Sequence, residues 1–549
     1  MFTMDSLVFL AIAVAILFAA VQRGGDGART MSEKTHRAIC GAAIAAGVLV
    51  RLARLTSLPA GISAEEALVG VQAKALWQTG GFLFGQGLTT QLSQWAGETN
   101  GPLLAVLTAP FVGLFGLSKL TVRLPLALLS CAAMPAAYGL GEALSGRRAA
   151  RWMLTIAALC PIFVLEARMT CGSCAALYLL PIALCLITRG VTKPAALYPG
   201  MIVLAMTAYA QDMYFFIAPA AILACAIIAL IFGRRKRHAA ISGAIGLLLC
   251  VPAMLTAFVN LTGAEGMTLL GLIRIPRLEG FEKAFMAENR FVGDKLWAVL
   301  IGGVFQVLRH ENIHQAMYAP DGMLALFMFS LPLMVLGTLA LFARWTDGRR
   351  AAREKAAARA MVAATCAVTL AALVMFGSVG TLNTNGTTGL FDHSALILFD
   401  AVLMTAGLCT IERKNLRCAA AMVALMAVNF AWLAVQLFGG SYQANANVYF
   451  PGFEQMAARA AEIQAETGEK INVTCNVYPH IQPSDGAEMM FLYATDADMR
   501  TAEAERGTRY ETIYVSDDMQ PEADQIYLTR ADEISNWDLE GFDYEESEG

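Results

Sequence analysis

The sequence predicts an α-helical polytopic membrane protein carrying a small C-terminal α/β domain. Three observations predict it. Of 549 residues, 57% are hydrophobic and only 15% are charged, where soluble domains carry about 25% charged residues. Apolar runs of roughly 18 or more residues recur along the chain, each long enough to cross a bilayer as a helix that satisfies its own backbone hydrogen bonds. The charge is also lopsided. From Phe450 to the end there are 23 acidic and 6 basic residues, whereas the remainder holds 21 acidic and 34 basic. The tail is a different kind of polypeptide from the body.

The first apolar run, Val8 to Val21, lacks a basic stretch before it and a small-residue cleavage site, so it reads as a membrane helix rather than a signal peptide. Short loops rich in Lys and Arg mark the cytoplasmic side. Six occur: Arg23 to Arg37, GRRAAR (146–151), Arg189 to Lys193, GRRKRH (233–238), Arg344 to Arg359 and ERKNLR (412–417). Placing all six inside requires about twelve spans with both termini outside. They fall near 4–22, 38–56, 121–144, 149–166, 171–188, 195–211, 213–232, 239–260, 322–343, 359–379, 390–411 and 417–438. One further apolar stretch, GPLLAVLTAPFVGLFG (101–116), is short and broken by Pro102, Pro110 and three glycines. It is expected to lie along, or dip into, the outer leaflet.

This map divides the chain into a membrane body over 1–440 and an acidic domain over 450–549. The body carries a first outer loop over 57–120 and a second over 261–321. The tail alternates strand-like runs (INVTCNV, ETIYVS, QIYLT) with a helical FEQMAARAAEIQAE, the pattern of a small α/β domain with a solvated acidic face. Asn472 stands in an NVT triplet, a glycosylation sequon that has meaning only in a eukaryotic secretory setting. Eleven of the twelve cysteines lie within or beside the apolar runs and the tail has only Cys475, so no disulfide can staple the tail internally. Cys171 and Cys174, in CGSC, read as small packing residues of a membrane helix.

The first outer loop holds the stretch GISAEEALVGVQAKALWQTGG (61–81). Ser63 is a good N-cap, Glu66 stands three residues later in the capping-box pattern, and Gly80 and Gly81 are plausible terminators. Ala67, Leu68, Val71, Ala75 and Leu76 form an apolar stripe. Glu66 thus has a structural task. Glu65 has none of its own, apart from the general preference for acids near a helix N-terminus. In LEARMT (165–170), Glu166 and Arg168 fall where the fourth span reaches the outer face. Arg168 is a fixed cation suited to gripping a phosphate, and the structural alternative is a snorkelling Arg paired with Glu166. Arg123, in SKLTVRLP, holds a similar edge position, with interface anchoring as its structural alternative. Tyr209 and Asp212 belong to a polar outer turn, and Asp392 and His393 to another; each could line a site or be a plain loop. No metal-ligand cluster is evident, although carboxylates could bind a divalent cation.

The order of these features resembles the GT-C membrane glycosyltransferases, in particular the protein O-mannosyltransferase and aminoarabinose-transferase branch, glycosyltransferase family 39. That branch reads G-x-x-x-DEA after an early span, then a tG turn, a juxtamembrane Pro-rich stretch, fG-x-s-x-x-x-vR-lP and an SR-like motif. The corresponding stretches here are GISAEEA, WQTGG, NGPLLAVLTAPFVGLFG, FGLSKLTVRLP and EARMT. The resemblance is good over residues 45 to 190 and looser beyond. It implies a GT-C-like fold of about twelve transmembrane helices, and transfer of a sugar from a polyprenyl-phosphate donor at the extracytoplasmic face of a plasma membrane, with a bacterial source expected. The acceptor would be a protein, a lipid or a cell-envelope glycan, with no nucleic-acid partner. The acid pair Glu65 and Glu66 would supply the catalytic carboxylate, Arg168 and Arg123 would bind the donor phosphate, and Glu166, Tyr209, Asp212 and His393 would line the site. A single displacement would invert the anomeric centre. Two departures stand out. The family's Asp-Glu pair is Glu65-Glu66 here, and a further family acid falls near Gly172. A transporter or lipid flippase is the rival reading, since twelve spans suit one; it would place charges at mid-membrane depth, whereas here they gather at the outer edge. A non-catalytic scaffold presenting the acidic domain is the third.

Overall fold

A computed structural model describes residues 4–22, 31–83, 87–95, 98–170, 174–210, 214–277, 326–346, 353–376, 394–439, 451–474, 483–516, 519–529 and 534–546. Each of the twelve apolar runs folds as a helix. They are α1 (Met4–Gln22), α2 (Glu33–Leu52), α5 (Lys119–Ser145), α6 (Arg147–Leu159) with α7 (Pro161–Leu165), α8 (Cys174–Gly190), α9 (Leu197–Met206), α10 (Tyr214–Phe232), α11 (Lys236–Thr262), α12 (Ser330–Thr346), α13 (Arg353–Phe376), α14 (Ser394–Lys414) and α15 (Leu416–Phe438). Among the described residues, seven are long and apolar enough to cross a membrane alone, and the bent pair α6–α7 makes an eighth. Helices α1, α8, α9 and α12 are shorter apolar segments. The chain is a multi-pass membrane protein.

Small residues let these helices approach. A Cβ added at Gly337 on α12 would fall 1.9 Å from the Leu403 carbonyl oxygen, and one at Gly407 on α14 would fall 2.3 Å from that of Leu333. Between membrane helices, where lipid tails are as apolar as leucine, close backbone packing of this kind supplies much of the association energy.

Ion pairs and hydrogen bonds join the described parts of several basic loops. Arg147 bridges Glu33 at 2.9 Å, Arg151 pairs with Glu412, and Arg234 bridges Glu354 at 3.0 Å. Trp152 Nε1 also donates to Glu412 at 2.8 Å, and Tyr198 reaches His238 at 3.2 Å. Basic loops far apart in sequence are therefore held together by ion pairs.

Between α2 and α5 lie α3 (Ala64–Thr79) and α4 (Leu103–Phe115), the two short helices of the loop that the sequence expects outside, called the first outer loop. They pack so closely that a Cβ on Gly113 would land 2.1 Å from the Trp77 ring. Leu114 and Phe115 are exposed, which suits a helix lying against lipid. Strands β1 (Leu88–Thr89), β4 (Met267–Leu269) and β5 (Ile273–Ile275) form a sheet in the order β1-β5-β4, with β1 parallel and β4 antiparallel to β5. It ties the first outer loop to the chain following α11. A separate hairpin pairs β2 (Ser93–Trp95) with β3 (Glu98–Asn100).

The tail folds as α16 (Pro451–Thr467), β6 (Lys470–Thr474), α17 (Pro483–Ala494), α18 (Ala502–Glu505), β7 (Tyr510–Ile513) and β8 (Gln525–Leu528), with a wholly parallel sheet ordered β7-β6-β8. The strand-like and helical runs of the sequence thus become the elements they predict. Asn472 lies on the central strand, buried, with its amide donating to Gln525, so its sequon is closed to any modifying enzyme in the folded protein. The tail does not stand apart from the body. Its Ala457, Ile471, Met490, Leu492 and Leu528 share one apolar core with Ala67, Leu68, Val71 and Ala75 of α3.

Candidate active site

The acid pair opens α3. Ser63 caps the helix in extended conformation, with its hydroxyl accepting from Glu66 N at 3.2 Å, and Glu66 Oε2 accepts in return from Ser63 N at 3.4 Å. Gly80 ends the helix in the left-handed region at φ 77°. This is the capping box and glycine stop that the sequence predicts.

Adjacent in sequence, the two acids have opposite surroundings. Glu66 is buried, and its carboxylate is filled by donors. Arg123 donates from Nε to Oε1 at 2.8 Å and from Nη2 to Oε2 at 2.7 Å, and Thr170 N donates to Oε1 at 3.2 Å. Glu65 is only half-buried and makes no hydrogen bond or ion pair among the described residues. Desolvation, and then the charge of Glu66, push its carboxyl up to about 7 from an ordinary 4.5. Glu65 also acts electrostatically on Glu166, a carboxyl from a different element. Glu166 begins a short 3-10 turn, Glu166–Arg168, where it accepts from Cys174 Sγ at 2.6 Å.

The buried arginines brace backbone. Arg123 adds to its ion pair three carbonyl bonds, to Leu55 at 3.1 Å, Pro59 at 2.9 Å and Gly61 at 2.7 Å. Arg168, wholly buried, donates to the carbonyls of Val50, Ala53 and Leu58 at 2.6, 3.0 and 3.0 Å. A cation on the last carbonyls of a helix satisfies acceptors that have no partner within it and complements the helix dipole. Both guanidinium groups expected to meet a donor phosphate are thus turned into the floor of the loop that presents Glu65. The sequence gives no hint of this, because their partners are main-chain oxygens.

A third arginine has no motif around it in the sequence. Arg51 is buried at the bend between α6 and α7, where the axes turn by 60°. Pro161 has no N–H, so the Ala157 carbonyl four residues earlier loses its helical donor. Arg51 Nη2 supplies one at 2.7 Å and also reaches the Phe163 carbonyl at 2.7 Å, while Nη1 takes that of Ala158 at 2.9 Å. This clamp sets where the Glu166–Arg168 turn emerges.

Tyr209 lies beside the first outer loop, with its hydroxyl donating to the Leu249 carbonyl at 2.6 Å. Gly101 sits so close that an added Cβ would be 2.1 Å from the Tyr209 carbonyl oxygen. Asp212, His393, Gly172 and Cys171 lie outside the described residues, as does 278–321 of the second outer loop. The tail covers the far side of α3. Lys74 donates to Asp496 Oδ1 at 2.6 Å and to the Ala497 carbonyl at 2.8 Å, Gln78 accepts from Met499 N at 3.0 Å, and Lys119 bridges Glu454 at 2.7 Å. Arg54, which directly follows the α2 end, is exposed and holds φ 51°.

No family model and no curated protein matches the chain. Among solved structures it is similar to the oligosaccharyltransferase AglB of Archaeoglobus fulgidus in complex with an inhibitory peptide and a dolichol-phosphate, at 12% identity, TM-score 0.45, over 84% of this chain and 63% of that one. The apo form of the Archaeoglobus fulgidus oligosaccharyltransferase gives 11% identity and TM-score 0.47 over 87% and 64%. ArnT from Cupriavidus metallidurans bound to undecaprenyl phosphate gives 14% identity and TM-score 0.42 over 86% and 78%. The chain spans less than two thirds of the archaeal enzymes' length.

Proposed function

We propose that this chain is a GT-C-type glycosyltransferase that moves a sugar from a polyprenyl-phosphate donor to an acceptor at the extracytoplasmic face of a bacterial plasma membrane, with the C-terminal domain on that face. One observation carries the reading. Of two neighbouring carboxylates at the membrane edge, Glu66 is locked by Arg123 and Glu65 is left open beside Glu166.

Glu65 is the general base. It takes the proton from the acceptor hydroxyl or amide as that group attacks the anomeric carbon, the bond from that carbon to the phosphate oxygen breaks, and the lipid phosphate departs with the electron pair. One displacement inverts the centre. A base whose proton affinity lies near neutrality balances availability against strength. The leaving group is already an anion stabilised as phosphate, so its chief need is a cation at the interface. Arg54, exposed on the braced loop, supplies one, while Arg123 and Arg168 act by holding that loop in place. Among the described residues no group of three or more His, Cys, Asp or Glu side chains converges as a metal site.

Release of sugar from a lipid-linked donor by the purified, reconstituted protein tests this reading. Transfer that needs Glu65 supports it. Movement of intact donor across vesicles, with the sugar–phosphate bond unbroken, would instead identify a flippase.

A further inference from the structure

The sheet beside α11 carries an unusual hairpin. Strands β4 and β5 are joined through Leu270, Gly271 and Leu272, with Leu269 facing Ile273 across the ladder, and Leu272 N donates to the Leu269 carbonyl at 3.0 Å within the turn. Both central residues have positive φ, 54° at Leu270 and 70° at Gly271. This is the type I′ pattern that Asn-Gly ordinarily fills, and a branched apolar residue is disfavoured there. The tip is apolar throughout. Leu270 is 86% exposed, Leu272 68%, and Met267 is exposed beside them.

Two contacts give the hairpin its direction. The Pro276 carbonyl accepts from Asn260 Nδ2 at 2.9 Å. The Arg274 carbonyl accepts from Thr90 N at 3.2 Å, and Thr90 Oγ1 meets Thr256 Oγ1 at 2.6 Å. Two residues along β5 thus match four along α11, about 6 Å in either element. Strand β5 runs alongside the helix in the same sense, so the turn preceding it points back towards the body of the span. The three residues before Arg274 span at most about 10 Å, so the tip lies between the levels of Thr256 and Leu249. There α11 already shows an exposed apolar stripe, Leu248, Leu249, Met254 and Phe258. Helix α11 has 27 residues, about 40 Å at 1.5 Å each, which exceeds a hydrocarbon core of about 30 Å. Its two ends therefore reach headgroup height, and Arg274 and Arg277, both exposed, have side chains long enough to reach that level from the base of the hairpin.

We propose that the β4–β5 hairpin is a membrane-inserting element, with Leu270 and Leu272 seated among the acyl chains of the outer leaflet and Arg274 and Arg277 on anionic lipid headgroups. The apolar tip continues the lipid-facing stripe of α11, and the two arginines complement phosphate at the level where phosphates lie. Leucine at a position suited to asparagine is explained by a surrounding in which a polar amide would be unfavourable. Because β1 pairs with β5, the hairpin also fastens the loop following α3 to the bilayer. None of this depends on the catalytic assignment.

An environment-sensitive fluorescent amino acid at position 270 of the full-length protein, reconstituted into phosphatidylcholine–phosphatidylglycerol vesicles, tests it. Position 272 serves as a second probe and position 265, at the exposed base of the hairpin, as the aqueous reference. Doxyl-labelled lipid should quench 270 and 272 several-fold more than 265, and iodide should do the reverse. Exchanging Arg274 and Arg277 for Glu should lower the inserted-to-exposed ratio at 270, on the order of fivefold per arginine, only when phosphatidylglycerol is present. Iodide quenching at 270 equal to that at 265 would overturn the proposal. So would shielding from both quenchers, which would place the tip against protein.

Discussion

Arg123 and Glu66 form a buried two-pronged ion pair, with Nε to Oε1 at 2.8 Å and Nη2 to Oε2 at 2.7 Å, joining the start of α5 to the start of α3 across 57 positions of sequence. Its consequence falls on the next residue. With Glu66 fixed, the first turn of α3 has one orientation, and so does the backbone that carries Glu65.

Glu66→Gln should therefore act on structure before chemistry. Removing one partner of a buried pair leaves an uncompensated charge and typically costs about 3–5 kcal/mol. Denaturation in detergent should show a loss of that order. Arg123→Lys should not restore it, since an ammonium cannot reproduce the bidentate fork or the bonds to the carbonyls of Leu55, Pro59 and Gly61.

Gly101→Ala should loosen the first outer loop. The new methyl group would collide with the Tyr209 carbonyl, which cannot move without breaking the link from Tyr209 to α11. A loss of about 1–3 kcal/mol is expected from such overpacking, with faster protease cleavage between α3 and α4 as its readout.

The acidic tail is legible in sequence as an α/β unit, yet its attachment is not. Charge shift and alternation mark its elements, but the core it shares with α3 brings together residues such as Ala67 and Leu492, over 400 positions apart. Excised residues 451–549 should accordingly expose an apolar face, bind a hydrophobic dye and aggregate, and a peptide covering 61–83 should suppress both effects. A soluble, dye-silent fragment would contradict the shared core.

The same contrast holds for the rest of the chain. The long helices are readable because bilayer thickness imposes a length of apolar sequence, and the shorter ones because their runs are still continuously apolar. The capping box is readable because its two partners stand three residues apart. The roles of Arg51, Arg123 and Arg168 are not readable, because main-chain carbonyls leave no trace in composition or spacing. That is why Arg123 and Arg168 look like free cations in the sequence, and why Arg51, which sits in an ordinary apolar span, draws no notice at all.

The raised proton affinity of Glu65 fixes the sign of two pH effects. As a base it must be ionised, so the transfer rate should fall about tenfold per unit below a pH of about 7 and level off above it. Stability should run the other way. Between about 4.5 and 7 the folded state holds a proton that the unfolded state has released, so this residue's contribution is fully present below that window and is lost as pH rises through it. Glu65→Gln should flatten both profiles in that range.

The central claim is that Glu65, and not Glu66, removes the acceptor's proton. The most direct measurement compares parent, Glu65→Gln, Glu65→Asp and Glu66→Gln proteins, as correctly folded fractions, for sugar transfer from one polyprenyl-phosphate donor, with donor binding measured in parallel. Glu65→Gln should lose about 10²- to 10⁴-fold in turnover while still binding donor, and Glu65→Asp should keep part of the activity because it keeps the carboxylate. The folded fraction of Glu66→Gln should lose far less. Parent-like turnover by Glu65→Gln would contradict the account and reduce Glu65 to a surface acid.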